Sequence, residues 1–119
     1  MTAEHDLTEP QGGRLTFSVD TDSSRILLRG ELDEDTAALL ACVVDREVAR
    51  ARTDLCLDLA ELAFFDLRGF AAVCSARAAV QATGGRLRIT NASDLFRTGA
   101  AWWGVPELVD DRASAAGPV

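Results

Sequence analysis

Apolar and polar residues alternate from Leu15 to Val19, with Leu15, Phe17 and Val19 set against Thr16 and Ser18. Successive side chains of a strand point to opposite faces, so this period of two predicts a half-buried strand. Asp20 to Ser24 supply turn residues, and Ile26 to Leu28 predicts a second strand that pairs with the first as a hairpin. Gly30-Glu31-Leu32-Asp33 closes that strand, and the period then changes. From Glu34-Asp35-Thr36 to about Arg52, Ala37, Leu40, Val44 and Val48 fall on one face of a helix. The acidic cluster at its start has an ordinary structural use, since carboxylates cap free N–H groups and complement the positive end of the helix dipole. Asp54 to Leu59 is short, β-compatible and bounded by polar residues, which predicts a central strand. After Ala60 to Phe65, an apolar helix runs from about Leu67 to Ala82 and ends in a left-handed cap at Gly84-Gly85. Arg86 to Thr90 alternates again, with Leu87 and Ile89 inward. Ser93 caps a third helix from Asp94 to Trp103 that stops at Gly104, and Glu107 to Val109 predicts a last short strand.

This order of strands and helices predicts an α/β fold, a small mixed sheet with packed crossover helices, because parallel neighbours require a right-handed crossover of about a dozen residues or more. A chain of 119 residues fits one such domain. Residues 1–13 hold Pro10, Gly12 and Gly13 without apolar periodicity and predict a disordered segment; residues 14–109 form the domain, and residues 110–119 a flexible tail.

Charge narrows the partners. Of the net −7, more than half lies outside residues 14–109: Glu4, Asp6 and Glu9 are unopposed, and Asp110 and Asp111 face only Arg112. Neither part offers a basic stripe for nucleic acid or anionic lipid. No apolar run reaches the ~18 residues that span a bilayer, and the first ten residues lack the basic and apolar regions of an export signal. A cytoplasmic protein is expected, with Cys42, Cys56 and Cys74 as reduced, buried small hydrophobes. Their spacing suits no zinc site, and the single histidine, His5, stands in the N-terminal segment, so neither a metal nor a cofactor is expected.

Candidate catalytic chemistry is sparse. The chain has no tyrosine, no phosphate-binding loop and no nucleophile elbow. Asp33 and Asp66 could face each other at one end of the sheet, but two helix caps are the commoner meaning of such residues. Trp102-Trp103 is the one tryptophan pair; at a helix end, at least one of the two is expected in the core, with the second partly exposed.

Three segments stand in a familiar order. They are Gly30-Glu31-Leu32-Asp33-Glu34-Asp35-Thr36-Ala37; Leu57-Asp58-Leu59 through Phe64-Phe65-Asp66-Leu67-Arg68-Gly69; and Gly84-Gly85-Arg86-Leu87-Arg88-Ile89. Together they resemble consecutive landmarks of the STAS family, of the anti-sigma factor antagonist type, over about residues 14–109. The resemblance implies a small mixed sheet with packed helices and a non-enzymatic regulator. Such an antagonist binds an anti-sigma factor that is also a serine kinase, and so releases a sigma factor. Phosphorylation of a serine in an Asp-Ser-Ser-Gly motif, at the start of the helix after the central strand, ends the association.

Here that motif is degenerate. Asp66 and Gly69 are retained, Leu67 and Arg68 replace the two serines, and Arg68 stands at the usual acceptor position. No phosphorylation is expected there; Ser75 and Thr83 lie further along the same helix and do not present a hydroxyl at its start. A cation in the first turn opposes the helix dipole by about 0.3 to 1 kcal/mol, and a glycine inside a helix costs about 1 kcal/mol, so local stability did not select this pair. Arg68 either swings into solvent or pairs with a carboxylate on a partner, with Gly69 letting the partner's backbone approach. The resemblance therefore implies a partner surface of Asp33, Asp66, Leu67, Arg68 and Gly69 for an anti-sigma factor of serine-kinase type. The alternative is a divergent STAS scaffold or small-ligand-binding module that does not act on a sigma factor; a homodimer is left open.

Overall fold

A computed structural model describes residues 2–5, 14–50, 52 and 54–109. Its five strands are β1 (Thr2–His5), β2 (Leu15–Asp20), β3 (Arg25–Leu32), β4 (Asp54–Phe65) and β5 (Arg86–Thr90), and its helices are α1 (Ala37–Ala49), α2 (Leu67–Ala82) and α3 (Asp94–Trp102). The strands lie side by side in chain order. The pairs β1–β2 and β2–β3 are antiparallel, while β3–β4 and β4–β5 are parallel. The two parallel connections step in the same direction across the sheet, which for crossovers of one hand puts both helices on one face. There α1 and α2 pack against each other.

The alternation expected of the hairpin is observed: Leu15, Phe17 and Val19 face Ile26 and Leu28 in the core, continued by Leu55, Leu57, Leu87 and Ile89. Leu40, Val43 and Val44 cover them from α1, and Phe70, Val73 and Val80 from α2. Ser93 accepts a hydrogen bond from the Phe96 N–H at the start of α3, and Gly84 ends α2 at φ +86°, both as the sequence predicts. No helix among the described residues is long and apolar enough to cross a membrane.

Three expectations change. Thr2–His5 pairs with β2 where a disordered segment was expected; an edge strand is held by backbone hydrogen bonds and leaves no apolar period when it is four residues long. Residues 6–13 and 110–119 lie outside the described residues. The predicted last strand is a 3-10 turn, Pro106–Leu108, with only Val109 bridging to Ile89, as suits a proline that has no N–H to donate to a ladder. Of the cysteines, Cys56 is buried, with Sγ 3.3 Å from Thr90 Oγ1, whereas Cys42 is exposed and Cys74 half-buried. The run from Ala37 to Val44 is apolar throughout, so its period does not reveal that Leu39, Leu40, Val43 and Val44 turn inward while Ala41 and Cys42 turn out. Burial pushes the Cys74 thiol up from its ordinary value, with nearby Arg77 opposing the shift.

The core also holds a charge that the sequence pattern does not announce. Glu47 on α1 is fully buried. Arg52 Nε lies 3.1 Å from one of its carboxylate oxygens, and Arg46 and Arg50 approach the other at 3.6 and 3.8 Å. Arg52 also donates to the Thr21 carbonyl at 2.9 Å, tying the end of α1 to the β2–β3 turn. A buried carboxylate is tolerated only with such company.

Candidate partner-binding site

Register brings the two acidic turns together. Leu32, the last residue of β3, pairs with Phe65, the last of β4, so Asp33 and Asp66 open adjacent turns at one end of the sheet. The Asp66 N–H donates to the Leu32 carbonyl at 3.3 Å. Asp66 then caps α2, its Oδ1 accepting from the Gly69 N–H at 2.9 Å.

Asp33 is committed internally. Its Oδ1 accepts from the backbone N–H groups of Asp35 (3.0 Å) and Thr36 (3.2 Å), and the Thr36 hydroxyl accepts from the Asp33 N–H at 2.9 Å. Its other oxygen is 2.9 Å from the Arg14 guanidinium, which also reaches Glu31 and Asp35 at 3.0 Å each. Only 8% of Asp33 is exposed. It holds the loop after Gly30 in shape; the exposed acids of that loop are Glu34 and Asp35, the latter paired with Arg14.

Gly69 also acts within the chain. A Cβ at this position would lie 2.0 Å from the Leu32 carbonyl oxygen, so the close approach it permits is that of β3 on the first turn of α2. Gly69 is buried, which replaces the expectation that a partner's backbone comes close there. Leu67 and Arg68 behave differently. Leu67 is 58% exposed, and Arg68 is exposed with no hydrogen bond or ion pair among the described residues. The five proposed positions thus divide into a buried frame of Asp33 and Gly69, the half-buried cap Asp66, and the presented pair Leu67 and Arg68.

Beside that pair lies a larger apolar surface that the sequence pattern does not reveal. Trp102 is 85% exposed and Trp103 59%, so neither is the core residue expected of the pair; Leu95 is 68% and Phe64 50% exposed. Phe96 fills the core place instead, its ring centroid 5.0 Å from Phe65 and 5.1 Å from Phe70. A groove of about 410 Å³ runs between the start of α2 and α3, floored by Phe65 and Phe70 and walled by Leu67, Leu95 and Trp102. Large contiguous apolar patches on a small domain mark interaction surfaces. The signal that could have found this one is the helical spacing of Leu95, Thr98, Gly99 and Trp102, which form a stripe separate from the core stripe of Phe96 and Ala100.

Among the described residues no group of three or more His, Cys, Asp or Glu side chains is placed to hold a metal ion. The two carboxylates that the register brings together are both engaged as acceptors of backbone N–H groups.

The fold has known counterparts. The unphosphorylated anti-sigma factor antagonist SpoIIAA matches at 21% identity and a TM-score of 0.59, over 74% of this chain and 82% of that one. The phosphorylated SpoIIAA of Bacillus, a cell fate determinant, matches at 19% identity and a TM-score of 0.63, over 82% and 89%. A Thermotoga maritima protein described as an anti-sigma factor antagonist matches at 15% identity and a TM-score of 0.66, over 88% and 93%. At these identities the likeness establishes the fold. Among curated protein sequences none matches significantly. The profile of the STAS_2 family, described as Mlab, STAS domain, matches residues 15–110, and on that match, which takes in every element from β2 to α3, the chain belongs to the STAS family.

Proposed function

We propose that this domain is a cytoplasmic bacterial protein-binding regulator, without enzymatic activity, of the anti-sigma factor antagonist kind. It binds an anti-sigma factor of serine-kinase type through the turn at residues 66–69 and so releases a sigma factor for transcription. The observation that carries this reading is the unpaired, exposed Arg68 beside exposed Leu67 on a turn that Asp66 and Gly69 hold rigidly against β3. Partner switching by phosphate does not operate at this position. A phosphoserine would bring about −1.5 to −2 charges to the helix start, whereas the arginine supplies a fixed positive charge.

The test uses whole domain to recover a kinase-type partner from native extract, followed by titration with and without ATP. No phosphate should enter the domain, and Arg68→Asp, which imitates the charge of the phosphorylated state in the relatives, should bind more weakly. Stoichiometric phosphate on the wild type, located by peptide mass analysis, would sink the non-switching reading; unchanged affinity in Arg68→Asp would remove this turn from the interface. A second reading, a STAS scaffold that does not act on a sigma factor, is favoured by the Mlab description of the matching family. Recovery of a partner with no sigma-factor connection would select it.

A further inference from the structure

The groove beside α3 and the most exposed large hydrophobic side chain among the described residues belong to one patch. Trp102 projects 85% exposed from the wall of the groove, whose floor of Phe65 and Phe70 is apolar and whose volume of about 410 Å³ is ample for an indole. A knob next to a hole is what a twofold self-contact requires, because in an isologous interface residue i of one copy meets residue j of the other and the reverse. A different partner would need only one of the two.

The stripe on α3 has the matching symmetry. Leu95 and Trp102 are its large ends, and Thr98 and Gly99 its small middle. The Gly99 position has only the edge of the Phe70 ring, at 3.8 Å, near the place of a Cβ. Two such helices crossing antiparallel about an axis between residues 98 and 99 bring Leu95 of each copy to Trp102 of the other, and their backbones can approach closely at the middle. The same symmetry places residue 94 opposite residue 103. Asp94 is an exposed acid, and Trp103 lines a second hollow together with Arg68. Neither Asp94 nor Arg68 has a hydrogen bond or ion pair among the described residues, so the twofold offers each charge its opposite, twice per dimer. The net charge of −7 resists association, but more than half of it lies outside residues 14–109, and a screening length of about 8 Å at physiological salt weakens the remainder.

We infer that the occupant of this groove is a second copy of the chain: an antiparallel α3–α3 homodimer in which each Trp102 seats in the other copy's groove and Arg68 pairs with Asp94 across the interface. The dimer covers Leu67 and Arg68. Self-association and binding of another protein to the 66–69 turn therefore exclude one another, a control of access that needs no phosphate. The dimer itself stands independently of the proposed function.

Sedimentation velocity of the full chain at 0.15 M salt, over a concentration series, tests it without any other protein. The expected result is a shift with concentration from the 12.7 kDa species to one of twice that mass, accompanied by a blue shift of tryptophan emission, which only Trp102 and Trp103 can report. Trp102→Glu, at an exposed position, should remain monomeric with an unchanged circular dichroism spectrum. Arg68→Asp and Asp94→Arg should each weaken association roughly tenfold, since each reverses a charge at two places per dimer, and the double variant should recover it. Recovery in the double variant would not follow if Arg68 served only another protein. A single 12.7 kDa species at every concentration up to about 1 mM, where association would be worth only about 4 kcal/mol, overturns the inference. So does a dimer that survives Trp102→Glu, or one that the double variant fails to restore.

Discussion

Gly69 illustrates how one atom fixes the geometry of the site. Leu32 ends β3 with its carbonyl directed at the first turn of α2, and an alanine Cβ would stand 2.0 Å from that oxygen, far inside contact distance. Because the obstacle is backbone, relief requires α2 to lift from the sheet. Alanine has about 1 kcal/mol better helix propensity than glycine, but forcing atoms into a packed place costs about 1 to 3 kcal/mol and often more. Gly69→Ala should therefore destabilise the domain, by roughly 1 to 2 kcal/mol net, with Asp66 losing its hold on the Gly69 N–H. Urea denaturation checks this; a variant as stable as wild type would mean that the turn adjusts freely and does not hold Arg68 in a fixed place. The sequence showed that a glycine here runs against helix propensity, but not which backbone it accommodates, since Leu32 is distant in the chain and nothing local points to it.

At the scale of elements, the inward faces of the strands and the β2–β3 hairpin were legible, and the extension of β4 was not. The hairpin, α2, β5 and α3 follow from apolar period and caps, because each buries one face. Ala60 to Phe65 had no readable period, yet it continues β4, held by its register with β3 through Glu31–Phe64 and Leu32–Phe65. Those residues gain backbone hydrogen bonds rather than burial, which leaves no trace in hydropathy. The loop between β3 and α1 was foreseen as acidic and helix-capping, but not that Arg14, seventeen residues upstream of Glu31, gathers its carboxylates. Two effects of Asp33 can be separated there. Asp33→Asn keeps an oxygen for the N–H groups of Asp35 and Thr36 and loses only the partly exposed ion pair, so it should cost under about 1 kcal/mol. Asp33→Ala strips both donors of their acceptor and should cost about 1 to 3 kcal/mol. Thermal unfolding of the two variants side by side distinguishes them; equal losses would show that the ion pair, and not the turn, is what Asp33 contributes.

At the scale of the whole molecule, the question is where the cooperative unit begins and ends. Every member of the hydrophobic cluster among the described residues lies between Leu15 and Val109, and both crossover helices and both parallel pairings fall within the same limits. What residues 1–13 add among the described residues is the pairing of Thr2–His5 with the edge of β2. An edge strand contributes backbone hydrogen bonds, each worth about 0.5 to 1.5 kcal/mol net before the entropy of ordering four residues is set against it. That balance is small compared with a core of more than twenty buried apolar side chains. We propose, then, that residues 14–109 are the folding unit. Removing both flanks also discards Glu4, Asp6 and Glu9 and the pair Asp110 and Asp111 with Arg112, which brings the net charge from −7 to −3 and lessens self-repulsion. The shortened chain should unfold in one cooperative transition, by circular dichroism and tryptophan emission alike, with a denaturant slope reduced only in proportion to its size. It should also aggregate more readily, because the edge of β2 is then uncovered. Non-coincident transitions by the two probes would show that a flank belongs to the core, and would move the boundary of the domain outward from Arg14.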